Sequence, residues 1–423
     1  MKDFIRTMCK FFALGAASLI IWVDFLYRRF LTKPVDKSAV SGIQEKKTTI
    51  NKKVAYFDRD VIDGTADAGA KTIFETMRFL RESDILTRYV LVTLQKTNLP
   101  DTLQPFFYEK SSFELSNILR CRRVLGDSDY VLVKTPENMV VLCVLLAFSS
   151  RRPTVWYYGG DIYSLRYKTA LSNQDGLNFF LCLLKYVLYS FFEFLIWPIA
   201  DACLSPNTAE ANLIRGYNRN SMVLPIRIFR DLSSEPGNHK VYEREQNNIH
   251  FIFVGGAGHS PNILALKHAV TVVLPELVQK CSPNLVFNIV GDGWDSDKFS
   301  EWLNFSENCI FHGRVSDREL DLIYERCHFA LAMVQDGAGV KGKVIEAMYK
   351  NKIVITTAIG AQGIPSDVLP FFNSVTEISA YVNKMIRDEE ARFRTLQGYL
   401  SFLEEYYSTK TIAELFETLI PRS

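Results

Sequence analysis

Residues 251–262 read Phe-Ile-Phe-Val-Gly-Gly-Ala-Gly-His-Ser-Pro-Asn. The apolar run predicts a buried strand, the glycines end it, and Pro261 with Asn262 opens a helix. Strand, glycine turn and helix form the unit from which doubly wound sheets are built. Gly255, Gly256 and Gly258 let the backbone approach a phosphate closely, and the helix that follows points its dipole at that anion. The spacing departs from the dinucleotide fingerprint, so from this stretch alone a tight turn without ligand is an equal reading.

Outward from this stretch, strand-like runs alternate with helical ones. Before it lie Val54–Phe57, Tyr89–Leu94, Tyr130–Lys134, Thr154–Tyr158, Ala202–Leu204 and Met222–Leu224; from it onward lie His250–Val254, Leu285–Val290, Cys309–Phe311, Phe329–Val334 and Ile353–Thr357. Helical patterns fall between them, among them Ala70–Arg81, Leu264–Lys280 and Asp317–Arg326. The alternation predicts an α/β protein with two Rossmann-like domains, whose ligands bind beyond the carboxyl ends of the strands in a cleft that the domains face. Residues 54–230 form the first domain, 249–395 the second and 396–423 a C-terminal helix, with the polar stretch 231–248 as interdomain linker.

The chemistry concentrates in the second domain. Asn-Ile-Val-Gly-Asp-Gly at 288–293 is another strand that ends in glycine, at Gly291, and Phe-His-Gly-Arg-Val-Ser-Asp follows at 311–317. Asp-Gly-Ala-Gly-Val-Lys-Gly-Lys-Val-Ile-Glu-Ala-Met at 336–348 is a glycine loop, with Gly339 within it, opening a helix that presents free amides to an anion. Lys341 and Lys343 bring two positive charges to that loop, as a diphosphate requires. Glu346 follows on the same helical face and suits ribose hydroxyls; the plainer reading is a surface Lys–Glu pair. His259 and His312 read more simply as structural residues.

Taken in order, Gly-Gly with Pro-Asn, Val-Gly-Asp-Gly, His-Gly-Arg-Val, Gly-Ala-Gly-Val-Lys-Gly-Lys-Val-Ile-Glu-Ala-Met and Gly360-Ala361-Gln362-Gly363-Ile364 resemble the nucleotide-sugar domain of family 4 (group 1) glycosyltransferases of the GT-B fold. The resemblance covers about 250–365. Val-Trp-Tyr-Tyr-Gly-Gly-Asp-Ile-Tyr-Ser-Leu-Arg at 155–166 is similar to a family segment at the acceptor side. The resemblance implies retaining transfer of a sugar from a nucleoside diphosphate donor, with no cofactor and no obligatory metal. It implies that Gly255, Gly256 and Gly258 lie near the diphosphate, with Asn262, Gly291 and Gly339 among the donor-binding residues. Arg314 and Val315 would lie near the base, Glu346 would hold the ribose, and Lys341 and Lys343 would counter the leaving diphosphate. Asp161, supported by Arg166, would stand near the reacting sugar and the acceptor hydroxyl, whose proton passes either to Asp161 or to the leaving phosphate. Two positions depart from the pattern: Ala338 replaces a family glutamate, and the first glycine loop lacks a basic pair. A nucleotide-sugar epimerase and a catalytically silent GT-B scaffold are the other readings of this architecture.

The amino terminus differs in character. Phe11–Tyr27 is an apolar run broken by Asp24, with basic residues on both sides. As a helix it would reach about 25 Å, against a hydrocarbon core of about 30 Å. Residues 1–33 are expected to form an uncleaved hydrophobic anchor helix, and Lys-rich 34–53 a basic linker; charge on the C-terminal side favours a cytoplasmic body. Residues 1–53 carry eleven Lys and Arg and four Asp and Glu, so the net charge of +2 averages a basic leader over a mildly acidic body. That balance disfavours a general nucleic-acid binder. The eight cysteines form no Cys-x-x-Cys pair and read as buried free thiols. Leu177–Trp197 is a second apolar block, interrupted by Lys185 and Glu193; it reads as a core helix or as a helix that touches lipid. The expected partners are a nucleoside diphosphate sugar, a glycan or lipid-linked acceptor, and a membrane, as in polysaccharide biosynthesis.

Overall fold

A computed structural model describes residues 53–58, 76, 79–80, 88–93, 115–147, 149, 151–173, 175–226, 248–281, 284–294, 299–303, 308–337 and 339–420. The expected anchor at 1–33, the basic linker at 34–53 except its last residue, most of the helix at 70–81, nearly all of the linker at 231–248, and Ala338 lie outside the described residues.

The described chain falls into two compact units, one holding residues up to 226 together with 412–420, the other holding 248–411. In the first unit six strands, β1 (Lys53–Asp58), β2 (Arg88–Thr93), β3 (Tyr130–Lys134), β4 (Thr154–Tyr158), β5 (Ala202–Ser205) and β6 (Ser221–Val223), form one sheet in the order β2-β1-β3-β4-β5-β6. In the second, β7 (Ile249–Val254), β8 (Leu285–Val290), β9 (Cys309–Gly313), β10 (Phe329–Ala332) and β11 (Ile353–Thr356) form a sheet in the order β11-β10-β7-β8-β9. Every pairing is parallel. Parallel neighbours require crossover connections, and helices supply them.

Strands β3, β4, β5 and β10, and the edge strand β11, are buried on both faces, which explains why they read as continuous apolar runs. In the first unit, α1 (Leu115–Gly126), α2 (Pro136–Leu146), α3 (Tyr163–Ala170), α4 (Gly176–Ile196) and α5 (Thr208–Arg215) connect the strands. One face of its sheet packs Phe57, Val131, Val133 and Tyr157 against Met139 of α2 and Leu188, Phe192 and Ile196 of α4. The other packs Val54, Tyr56, Leu132 and Trp156 against Ile412, Phe416 and Ile420.

In the second unit, α6 (Ser260–His268) passes through a π-turn at Ala269–Val273 into α7 (Leu274–Lys280). Pro275 stands just after that turn; it lacks an N–H and crowds the preceding carbonyls, and the wider turn absorbs the misfit. Then follow α8 (Asp317–Arg326), α9 (Gly342–Tyr349), α10 (Val375–Arg387) and α11 (Glu389–Tyr407). The helix α8 matches its predicted bounds because Ser316 and Glu319 form a reciprocal capping box.

The expected single helix over 396–423 is instead two. Asp388 caps α11 by accepting from the Ala391 amide, so that helix starts before 396. Ser408 is extended, and its hydroxyl accepts from Thr411 N–H, which starts α12 (Thr409–Leu419). Helix α12 carries Ile412 and Phe416 into the core of the first unit, where Phe416 meets Trp156 edge-on at 5.6 Å. Seven described cysteines are free, four of them buried.

Candidate functional site

In the second unit, three glycine turns meet beyond the carboxyl ends of β7, β8 and β9. The Gly255 amide donates to the Val290 carbonyl at 2.8 Å, Ala257 N–H to Asp292 O at 2.9 Å, and Gly291 N–H to Gly313 O at 2.8 Å. These contacts account for the glycines. A Cβ on Gly255 would lie 2.8 Å from the Asn262 side chain, and one on Gly256 2.7 Å from Asp292. At Gly291, where φ is +139°, a Cβ would lie 2.4 Å from the Gly255 oxygen. Gly258 meets nothing within 4 Å, so packing within the protein does not demand glycine there.

The loop before α9 turns through two left-handed glycines, Gly337 (φ +110°) and Gly339 (φ +76°). Lys341 is the N-cap of α9 and makes no side-chain cap, and its ammonium donates to Gly339 O at 2.7 Å. Lys343 reaches across to α6: its Nζ donates to Asn262 Oδ1 at 2.6 Å and stands 5.1 Å over the Phe253 ring. Asn262 in turn donates through Nδ2 to Gly256 O at 2.9 Å. Burial, with Lys341 close by, lowers the Lys343 pKa to about 8. The buried face of α9 carries Val344, Ile345, Ala347 and Met348, which leaves Glu346 one turn after Lys343 at the half-buried edge.

Gly255, Gly256, Asn262, Gly291 and Lys343 are therefore in direct contact. Arg314 and Val315 follow Gly313, whose carbonyl joins the same cluster, and Arg314 is exposed. Two residues not singled out from the sequence belong here: Asp292 bonds the first loop through its backbone, and Trp294 donates Nε1–H to Gly255 O at 2.8 Å. A tryptophan two residues beyond a strand-ending Gly-Asp was the available signal. His312 is structural, since its Nε2 pairs with Asn288 Oδ1 at 2.9 Å and Asn288 donates to Phe251 O.

Asp161 and Arg166 belong to the first unit, after β4. Their side chains are 3.9 Å apart at nearest, both partly exposed, a geometry that contributes little to stability. Glu193 of α4 caps the start of α3 beside them: Ser164 N–H donates to Oε1 at 3.2 Å, and the Ser164 hydroxyl donates to Oε2. Thr135, after the neighbouring β3, holds φ +72°, a strained value for a β-branched residue that costs about 1–3 kcal/mol. Its side chain caps α2 through Asn138 N–H. Among the described residues no group of three or more His, Cys, Asp or Glu is placed to hold a metal ion.

Comparison with known proteins shows what these features resemble. Residues 248–387 match the sequence profile of the glycosyl transferases, group 1. An uncharacterised 44.6 kDa protein from the cps region of Klebsiella pneumoniae is 27% identical over 184 residues, 39% of this chain and 44% of that protein, so the match spans less than half of that relative. The structure of HepE from Anabaena in complex with UDP and glucose aligns with a TM-score of 0.61 at 14% identity, over 87% of this chain and 99% of that one. The lipopolysaccharide outer core galactosyltransferase WaaB aligns at 0.58 and 14% identity, over 87% and 100%. At these identities the structural likeness shows the fold. Over residues 248–387 the chain is thus similar to the group 1 glycosyl transferases, and its two parallel sheets share the GT-B fold of these solved neighbours.

Proposed function

We propose that the protein is a membrane-associated, retaining glycosyltransferase that moves a sugar from a nucleoside diphosphate donor to a lipid-linked or surface-glycan acceptor. The observation that carries this reading is the cluster of Gly255, Gly256, Gly291, Asn262 and Lys343 beside the uncapped start of α9. There the helix amides, Lys341 and Lys343 can stabilise charge that grows on a departing diphosphate. In the transfer, the bond from the anomeric carbon to the diphosphate oxygen breaks and one to the acceptor oxygen forms on the same face. The electron pair of the broken bond stays with the diphosphate. Glu346 serves the ribose, Arg314 and Val315 the base, and Asp161 with Arg166 the acceptor side.

The relatives support the substrate classes. One solved neighbour binds UDP and glucose, another acts on the lipopolysaccharide outer core, and the sequence relative lies in a cps region. The apolar, basic leader at 1–33 supports the membrane, with the catalytic body on the cytoplasmic side.

Screening nucleotide sugars by thermal shift identifies the donor, because a ligand that binds only the native state raises its melting temperature. Transfer of labelled sugar is then expected to fall by at least about 100-fold in Lys341→Ala, on the scale of one lost transition-state donor, and by about 10-fold or more in Glu346→Ala, which loses charged hydrogen bonds to the ribose. Unchanged turnover in both variants would remove these residues from the site.

A further inference from the structure

We infer that Trp294 is a positioning residue for the donor: its indole N–H turns the Gly255–Gly256 peptide so that the Gly256 amide faces the diphosphate, an assignment that rests on the donor reading proposed above.

A peptide between two glycines is among the least restrained in a chain, because neither residue has a Cβ to limit its dihedrals. The first loop cannot dispense with either one. A Cβ on Gly255 would meet Asn262 at 2.8 Å, and one on Gly256 would meet Asp292 at 2.7 Å. Close packing therefore demands the residues that leave this peptide free to rotate, and its orientation must come from outside the loop. The turn after β8 supplies it twice. Trp294 Nε1–H donates to Gly255 O at 2.8 Å. Gly291 lets the whole peptide group come close, since a Cβ there would lie 2.4 Å from Gly255 O, 2.5 Å from Gly255 C and 2.8 Å from Gly256 N.

The C=O and N–H of a trans peptide point to opposite sides. With Gly255 O turned to the indole, the Gly256 N–H points away from it. The groups on either side are engaged: Gly255 N–H donates to Val290 O, Ala257 N–H to Asp292 O, and Gly256 O accepts from Asn262 Nδ2. Among the described residues no acceptor meets the Gly256 N–H. It is the amide of residues 255–257 left for a ligand, in a loop tied through Asn262 to Lys343.

Tryptophan suits this task by its chemistry. The indole N–H donates and does not accept, so a reversed peptide would set two donors against each other. The ring is also held in place. Trp294 is 5% exposed, meets Phe253 edge-on at 6.2 Å and lies 5.3 Å from the Phe299 ring. Phe253 belongs to β7, and the Lys343 ammonium stands over the same ring.

The test uses inorganic pyrophosphate as the probe on the full-length chain. The sequence contains two Gly-Gly peptides, at 159–160 and 255–256. Glycine labelled with heavy carbon at the carbonyl and heavy nitrogen at the amide therefore gives two carbonyl-to-amide resonances, and Gly160→Ala identifies which is which. Pyrophosphate is expected to move the Gly256 amide proton downfield, as a hydrogen bond to an anion does. Benzothienylalanine in place of Trp294 keeps the ring shape and puts sulfur where the N–H was. It should cut that shift by about half or more and weaken pyrophosphate binding about tenfold in titration calorimetry. Trp294→Phe, checked for a native melting curve, should weaken binding to a similar degree. A Gly256 amide that pyrophosphate leaves unmoved, or equal binding by the benzothienyl variant, would overturn the role of Trp294 and leave the donor site standing. A parent chain that binds no pyrophosphate would overturn the donor reading, and the role of Trp294 with it.

Discussion

Lys343 illustrates how a single position joins fold and chemistry. Its ammonium is half withdrawn from water, held by Asn262 and the Phe253 ring, and Lys341 lies nearby. Burial and the neighbouring Lys341 charge favour the neutral form, which brings the pKa down to about 8. A bound diphosphate would favour the charged form. Donor affinity is therefore expected to be flat below about pH 7 and to fall by up to tenfold per pH unit above about 8, as binding must then take up a proton. Isothermal titration of the nucleoside diphosphate from pH 6.5 to 9.5 checks this, and Lys343→Met should bind about 10-fold or more weakly with the pH dependence flattened. At the same scale, the sequence alone reads Gly255, Gly256 and Gly291 as glycines of a ligand-facing turn. The structure supplies another reason for them: the loops touch one another, and a Cβ at any of the three would intrude on its neighbour. Periodicity carries no information about that contact, because the residues are about 35 positions apart.

Among the elements, α4 and α3 form a coupled pair. The first turn of α3 has no cap of its own, and Glu193 of α4 supplies it. Burial raises the Glu193 pKa from 4.5 to about 7 although the Ser164 bonds oppose the shift. A carboxyl that binds its proton more tightly in the native state than in the unfolded chain lowers stability as pH rises from about 4.5 through about 7. The shift corresponds to a loss on the order of 3 kcal/mol, complete above about pH 7. Glu193→Gln should therefore melt higher than the parent at pH 8 and show no advantage at pH 4.5, which calorimetry at the two pH values would check. Because α3 starts beside Asp161, α4 also orders the segment assigned to the acceptor.

At the scale of the molecule, the chain leaves the first unit after β6, completes the second, and returns with α12. Phe416 is 1% exposed and packs on Trp156, so its truncation removes core contacts of the first unit although it lies near the end of the sequence. Phe416→Ala is expected to destabilise that unit by about 3–5 kcal/mol. Chemical denaturation followed through native hydrogen exchange of β1 and β4 amides would show the loss there and leave β7 and β8 protection little changed.

The eleven strands of the described residues were legible in the sequence, most plainly β3, β4, β5, β10 and β11, because parallel strands buried on both faces leave continuous apolar runs that local composition exposes. The order of the glycine motifs in 250–365 likewise stood in the sequence, and with it the likeness to the group 1 glycosyl transferases over 248–387, since turn chemistry is local. The sequence by itself left two matters open. It left α4 as either a core helix or a lipid-touching one, because hydropathy does not say which face meets a sheet; packing against β1, β3 and β4 divided it into a buried and an exposed half. It also assigned the carboxyl terminus to one helix, because no local signal shows that Ile412 and Phe416 belong to the core of a sheet whose first strand begins at Lys53. Only the tertiary structure decided these points, since burial is settled by surfaces that meet from distant parts of the chain.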